Sequence, residues 1–261
     1  MQNSNPNSRR DFVKKLALAG LVTLSLPKLG TFANTSIDTS KSNDGNGMVF
    51  LFQGDSITDG NRGRTADLNH IIGHGYAFSI ASRLGADLPE KKMTFYNRGI
   101  SGNKVTDLAD RWQKDTIDLK TDVLSILIGI NDTSSIVFSH SDPVTAEKYE
   151  EVYRSLLSQT KAQFPEILFV LCNPFILSVG KVKENWDAYK TELAKRQSAV
   201  LKLVKEFDAI LVDFQQVFDQ ACERADADYW IWDGVHPTVA GHELMAREWL
   251  RQVGKRLEFV R

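Results

Sequence analysis

Five short apolar runs, at 48–52, 93–96, 123–128, 167–172 and 210–214, punctuate the chain. They are nearly continuous in apolar residues rather than alternating. That pattern marks strands buried on both faces, as in a parallel sheet covered on each side. Between them the apolar spacing changes to that of a helix. In 147–164 it is carried by Tyr149, Val152, Tyr153, Leu156, Leu157 and Phe164; in 185–207 by Trp186, Tyr189, Leu193, Val200, Leu203, Val204 and Phe207. A last helix is expected from Thr238 as N-cap, just after Pro237, with Met245, Ala246, Trp249, Leu250 and Val253 on one face. Parallel strands need right-handed crossovers, which place helices on both sides of the sheet. The expected fold is therefore α/β, a three-layer α/β/α sandwich around a five-stranded parallel sheet.

Residues 1–47 do not share this pattern. Arg9 and Arg10 precede a short apolar run, Leu16 to Leu26, and a small-residue end at Ala33. The run is too short to span a bilayer, for which about 20 residues are needed. Charged head, apolar stretch and small-residue end describe a secretory signal over 1–33, and the paired arginines resemble the twin-arginine export signal. The bland alternative is a basic tail followed by a buried helix. Residues 34–47 are polar and read as a disordered linker, leaving 48–261 as one domain. The expected location is periplasmic or extracellular, with no stable membrane insertion once the signal is removed.

This division changes the charge. The 261 residues hold 32 Lys+Arg against 33 Asp+Glu. Setting aside the five Lys/Arg and one Asp of 1–33 leaves 27 against 32, a net −5. A chain of that sign has no broad positive field for nucleic acid. Two cysteines and five histidines without ligand spacing point to no metal site. Cys172 and Cys222 are read as free thiols, with a disulfide as the alternative.

In doubly wound sheets chemistry collects at the carboxyl ends of the strands. The chain places polar clusters there: Gly54-Asp55-Ser56-Ile57-Thr58-Asp59-Gly60, Asn97-Arg98-Gly99-Ile100-Ser101-Gly102-Asn103 and Gly129-Ile130-Asn131-Asp132. A fourth, Asp233-Gly234-Val235-His236-Pro237, comes late. Acyl transfer needs a serine activated by a base, a carboxylate to hold the base, and donors for the oxyanion. Ser56, His236 and Asp233 fit the first three roles. The backbone N–H groups of Ser56 and Gly102 and the side-chain amide of Asn131 fit the oxyanion hole. A glycine suits position 102 if a backbone N–H must approach the substrate closely there. Singly, each cluster is also explained as a turn, a cap or a surface pair. The G-x-S-x-G of α/β-hydrolases is absent.

These four blocks, in this order, resemble the SGNH (GDSL-type) hydrolases: Ser in G-D-S, Gly in the second block, Asn in G-x-N-D and His in D-x-x-H. The resemblance spans 54–236. It implies the flavodoxin-like SGNH fold, Ser56 as nucleophile and oxyanion donor, Gly102 and Asn131 completing the hole, His236 as base and Asp233 as its partner, with no metal and no organic cofactor. The flanks of the blocks, such as Phe52-Gln53 before G-D-S and Trp232 before D-x-x-H, are similar to acetylxylan esterases and related carbohydrate deacetylases of this family.

The polar insertion at 59–75 and the aromatic group Tyr229, Trp230 and Trp232 suit a sugar rim; solvated loop and core packing are the alternatives. Asp55, Arg62, Arg98 and Trp232 are the expected substrate contacts. His70, His74, His140 and His242 are read as surface or structural. The expectation is a serine esterase removing acetyl groups from an acylated carbohydrate or polysaccharide, such as xylan. A lysophospholipase, a broad short-chain esterase or an inactive carbohydrate-binding domain are the other readings. Relatives of this kind include oligomers, so a homo-oligomer is possible.

Overall fold

The computed structural model describes residues 47–260. The expected export signal and all of the linker but Gly47 lie outside the described residues. The elements run β1 (Val49–Gly54), α1 (Ser56–Asp59), α2 (Tyr76–Asp87), β2 (Thr94–Asn97), α3 (Val105–Asp115), β3 (Val123–Leu127), α4 (Ile130–Val137) and α5 (Ala146–Gln163). Then follow β4 (Leu168–Cys172), α6 (Gly180–Glu184), α7 (Trp186–Glu206), β5 (Ile210–Val212), α8 (Phe214–Ala221), α9 (Ala227–Trp230) and α10 (Val239–Val253).

The five strands form one parallel sheet in the order β2-β1-β3-β4-β5. Alternate strand residues feed two cores, because successive side chains leave a strand on opposite faces. Phe50, Phe52, Val170 and Val212 pack with Tyr76 of α2, Phe214 and Phe218 of α8, and Met245 and Trp249 of α10. Leu51, Leu124, Ile126, Phe169 and Leu171 pack with Leu108 and Trp112 of α3, Tyr153 of α5 and Val200 of α7. The expected three-layer α/β/α sandwich is the fold observed.

The expected strands sit within two residues of the observed ones, and the differences have local causes. β5 stops at Val212 rather than reaching Phe214, because Asp213 turns to cap α8 and its carboxylate accepts the Gln216 N–H. Thr238 caps α10 as expected, its hydroxyl accepting the Gly241 N–H. Two large polar side chains in the cores find partners. The indole N–H of fully buried Trp249 donates to Ser125 Oγ at 3.0 Å. Buried Arg196 binds Glu192 and donates to the Val144 and Asp132 carbonyls, tying α7 to the segment that follows β3.

One topological fact positions the site. β2 lies on one side of β1 and β3 on the other, so the chain reverses direction of sheet growth at β1. Such a switch point leaves a crevice at the carboxyl edge. Gly54 pairs with Leu127, and Phe52 with Asn97, which brings the ends of β1, β2 and β3 side by side.

Candidate active site

Ser56 opens α1 immediately after the central strand. Its helix is short and needs both ends secured. Asp55 caps the start, Oδ1 accepting the Ile57 N–H at 3.0 Å, and Gly60 closes it at φ +51°. Ser56 Oγ lies 2.9 Å from His236 Nε2, across 180 residues of sequence. His236 Nδ1 lies 2.7 Å from Asp233 Oδ2. The three residues thus form one continuous chain.

The loop carrying His236 is fixed from within. Asp233 Oδ1 accepts the N–H groups of Val235 and His236, at 2.9 and 2.7 Å. The strand-like bridge between Ile231 and Pro237 closes its neck. Gly234 is held at φ +97°, and a Cβ there would sit 2.6 Å from the Val179 carbonyl oxygen. Only glycine meets both demands. Burial would raise the Asp233 carboxyl, but the bonds from His236 and from the two backbone N–H groups outweigh it and hold it below the usual range. The Asp233 hydrogen bond raises the His236 imidazole above its ordinary value, against a smaller opposing effect of burial.

Gly102 and Asn131 arrive from β2 and β3. Among the described residues no acceptor takes the Ser56 or Gly102 backbone N–H. Gly102 is at φ +84°, while a Cβ there would meet nothing within 4 Å. Backbone conformation is therefore the structural demand for glycine at 102; close packing is what Gly99 answers, where a Cβ would lie 2.3 Å from the Asp59 nitrogen. One Asn131 amide hydrogen goes to the Asn103 carbonyl at 3.0 Å, which orients the side chain and leaves its second hydrogen.

Beside this group lies a cavity of about 480 Å³, lined by Ser56, Asn131, Asp233 and His236 together with Phe138, Tyr189 and Trp232. Trp232 is 63% exposed and stacks on the His236 ring, centroids 6.1 Å apart. Tyr189 OH is 3.0 Å from Ser134 Oγ, and Phe138 packs edge-on against the Tyr189 ring. The helical spacing around Tyr189 signals burial, which the structure bears out; that it also lines a cavity has no sequence signal. The aromatic group splits, with Trp230 in the core and Tyr229 and Trp232 exposed.

The expected substrate contacts also divide. Trp232 lines the cavity. Asp55 requires correction: at 1% exposure it has no surface for a substrate, and its work is capping α1. Burial pushes its carboxyl up to about 7, and its Oδ2 has no partner. Arg62 turns inward, Nε donating to the Gly99 carbonyl at 2.9 Å. Arg98 lies over the Tyr96 ring and 3.9 Å from Asp115. Neither arginine lines the cavity. His242 is structural, Nδ1 accepting the Tyr76 N–H at the start of α2. Both cysteines are free thiols. Among the described residues no group of three or more His, Cys, Asp or Glu is arranged to hold a metal ion, and no helix is long and apolar enough to cross a membrane.

Known proteins resemble the chain in both sequence and fold. Residues 52–244 match the GDSL-like Lipase/Acylhydrolase family. The acetylxylan esterase of Geobacillus stearothermophilus is 35% identical over 222 residues, covering 83% of this chain and 98% of that protein. The crystal structure of that enzyme superposes with a TM-score of 0.71, covering 80% of this chain and 95% of the other. A protein from Parabacteroides merdae described as a GDSL-like lipase is 40% identical, with a TM-score of 0.76 and coverage of 80% and 97%. Matched over most of its length in both sequence and fold, the chain belongs to the GDSL-like lipase/acylhydrolase family of ester hydrolases.

Proposed function

We propose that the protein is an exported esterase that removes O-acetyl groups from xylan or its oligosaccharides. The hydrogen-bonded chain Ser56–His236–Asp233 carries the hydrolytic part of this reading. The likeness to an acetylxylan esterase supports the substrate. Solved forms of that esterase include catalytic mutants in which a serine, an aspartate or a histidine is replaced by alanine. The same three residue types form the chain here. Exposed Trp232 and the aromatic cavity wall offer apolar faces to a sugar ring. The export step rests on Arg9, Arg10 and the apolar run behind them.

In the first half-reaction His236 Nε2 takes the Ser56 proton as Oγ bonds to the acetyl carbonyl carbon. The carbonyl becomes an oxyanion facing the N–H groups of Ser56 and Gly102 and the Asn131 amide. Collapse breaks the carbon–oxygen bond to the sugar, whose oxygen takes the proton from His236. In the second half, water gives a proton to His236 and its oxygen bonds to the acyl carbon. Acetate leaves and Ser56 regains its proton.

Release of acetate from acetylated xylo-oligosaccharides, measured beside fatty-acid release from lysophospholipid, tests the substrate. Faster turnover of the lipid would refute it. Ser56→Ala should abolish both. Export is tested with residues 1–40 fused to a reporter: export that survives Arg9→Lys/Arg10→Lys would eliminate the twin-arginine route.

A further inference from the structure

Asp59 ends the helix that Ser56 begins. At 2% exposure it is nearly buried, and its carboxylate is fully engaged. Oδ1 accepts the Arg62 N–H and Arg64 Nη1, both at 3.1 Å. Oδ2 accepts Arg64 Nη2 at 2.6 Å, the Ser101 N–H at 3.1 Å and Ser101 Oγ at 3.3 Å. Burial would raise this carboxyl, but Arg64 and the Ser101 N–H outweigh it and hold it below the usual range. The Asp59 backbone is equally fixed. Its N–H donates to the Asp55 carbonyl at 2.8 Å, and Gly99 packs against its nitrogen too closely for any side chain.

Ser101 directly precedes Gly102. The surrounding loop is pinned at several points: Gly99 N–H on the Asn97 side chain, Ile100 N–H on the Gly54 carbonyl, and Val105 N–H on Asp132. At the turn itself, the Ser101 N–H is the backbone group bonded to a side chain of the nucleophile's helix. The next peptide plane carries the Gly102 N–H. A glycine at φ +84° has weak preference of its own, so the direction of that N–H depends on what holds the residue before it.

We propose that Asp59 is a positioning residue for the oxyanion hole: its carboxylate fixes the 101–102 turn to the nucleophile's helix, so that the Gly102 N–H and Ser56 Oγ keep one relative geometry. The proposal rests on reading Ser56 as nucleophile and Gly102 as oxyanion donor. Asp59 touches neither substrate nor reacting atoms; it acts through Ser101. Arg64 serves the same end by holding the carboxylate ionised and in place.

The test compares Asp59→Asn and Arg64→Met with the native enzyme in three measurements. These are kcat and KM on p-nitrophenyl acetate, the inhibition constant of an alkylboronic acid, and the thermal midpoint. The boronate forms a tetrahedral adduct on Ser56 with an oxygen in the hole, so it reports the hole directly. Asp59→Asn should lower kcat about 10- to 100-fold, up to the scale of misplacing one preorganised donor and less than that of losing it, with KM changed less than about threefold. Boronate affinity should fall by the same factor as kcat/KM. Arg64→Met, on a half-exposed side chain, should give a smaller loss of the same kind and carries the test if Asp59→Asn does not fold. A folded Asp59→Asn enzyme within about twofold of native kcat would overturn the proposal, and so would a loss of kcat with boronate affinity unchanged. Full activity in Ser56→Ala would bring down the reading of the site itself; an inactive Ser56→Ala beside an unaffected Asp59→Asn would remove only the role of Asp59.

Discussion

Replacing Asp233 by asparagine separates the two jobs of its carboxylate. Oδ1 holds the loop through two backbone N–H groups, and Oδ2 holds the imidazole. An asparagine can keep one arrangement only. If its amide group faced the two N–H groups, two charge-assisted bonds of about 1.5–3 kcal/mol each would be exchanged for repulsion. The other orientation, oxygen on the loop and NH₂ toward His236 Nδ1, loses one bond and is favoured. Nδ1 must then accept, the ring proton moves to Nε2, and the lone pair that should take the Ser56 proton is gone. In serine proteases the same exchange costs about 10⁴ in kcat, or about 5.5 kcal/mol of barrier. The expected result is a kcat roughly 10³- to 10⁴-fold lower with the thermal midpoint near native. Asp233→Ala should show the reverse balance. It loses the loop bonds and melts lower, yet its kcat should not fall below that of Asp233→Asn, since nothing forces the wrong tautomer. Ester hydrolysis from pH 5 to 9 with parallel thermal melts checks both. An Asp233→Asn enzyme retaining a tenth of native kcat would refute the tautomer argument.

Because Asp233 raises the His236 imidazole, kcat/KM should climb with pH and reach half its plateau above 6.5; a midpoint below 6.5 in a pH–rate profile would contradict this. The same pairing stabilises the fold fully below about 6.5, and that contribution fades as pH rises through the folded-state value, which denaturant titrations at pH 6 and 9 would show. Gly102→Ala should cost about 1–2 kcal/mol of stability from φ alone, since nothing obstructs its Cβ, together with at least a tenfold loss of kcat; urea unfolding and steady-state kinetics separate the two. Trp249→Ala should cost about 3–5 kcal/mol in urea unfolding, because the indole is fully buried and its loss also removes a donor from Ser125 Oγ. Trp232→Ala should leave stability within about 0.5 kcal/mol, as befits an exposed ring, while raising KM for xylo-oligosaccharides in acetate-release assays.

The inner strands were legible because they are runs buried on both faces, and Ser56, Gly102 and Asn131 stood out as candidates because they follow strand ends. Asp233 and His236 lie in a loop between helices, and it was the four blocks together, not any one alone, that marked Ser56, Asn131, Asp233 and His236 as candidates. What escaped depends on contacts between distant segments. Nothing near Asp55 signals that its carboxylate is sealed beneath α1, and nothing near Arg62 signals that it reaches Gly99 across 37 residues. Asp59 looked like one polar residue in a polar insertion until Ser101 was seen to lie against it. Gly99 and Gly102 stand three apart in the same block, yet one answers packing and the other dihedral angle; sequence offers no means of telling these apart.

The 180 residues between Ser56 and His236 also set an order in time. At about 5–20 residues per second, a ribosome delivers the histidine roughly 10 to 40 s after the serine. The Asp233–His236 pair can form within its own loop as soon as that loop emerges. The serine waits, an ordinary unactivated alcohol, until β5, α8 and the loop before α10 have been made and docked. A growing chain therefore carries the nucleophile for most of its synthesis without being able to use it. With Ser56 read as the nucleophile and His236 as its base, truncation anywhere before residue 236 should yield an inert product rather than a poorly controlled hydrolase.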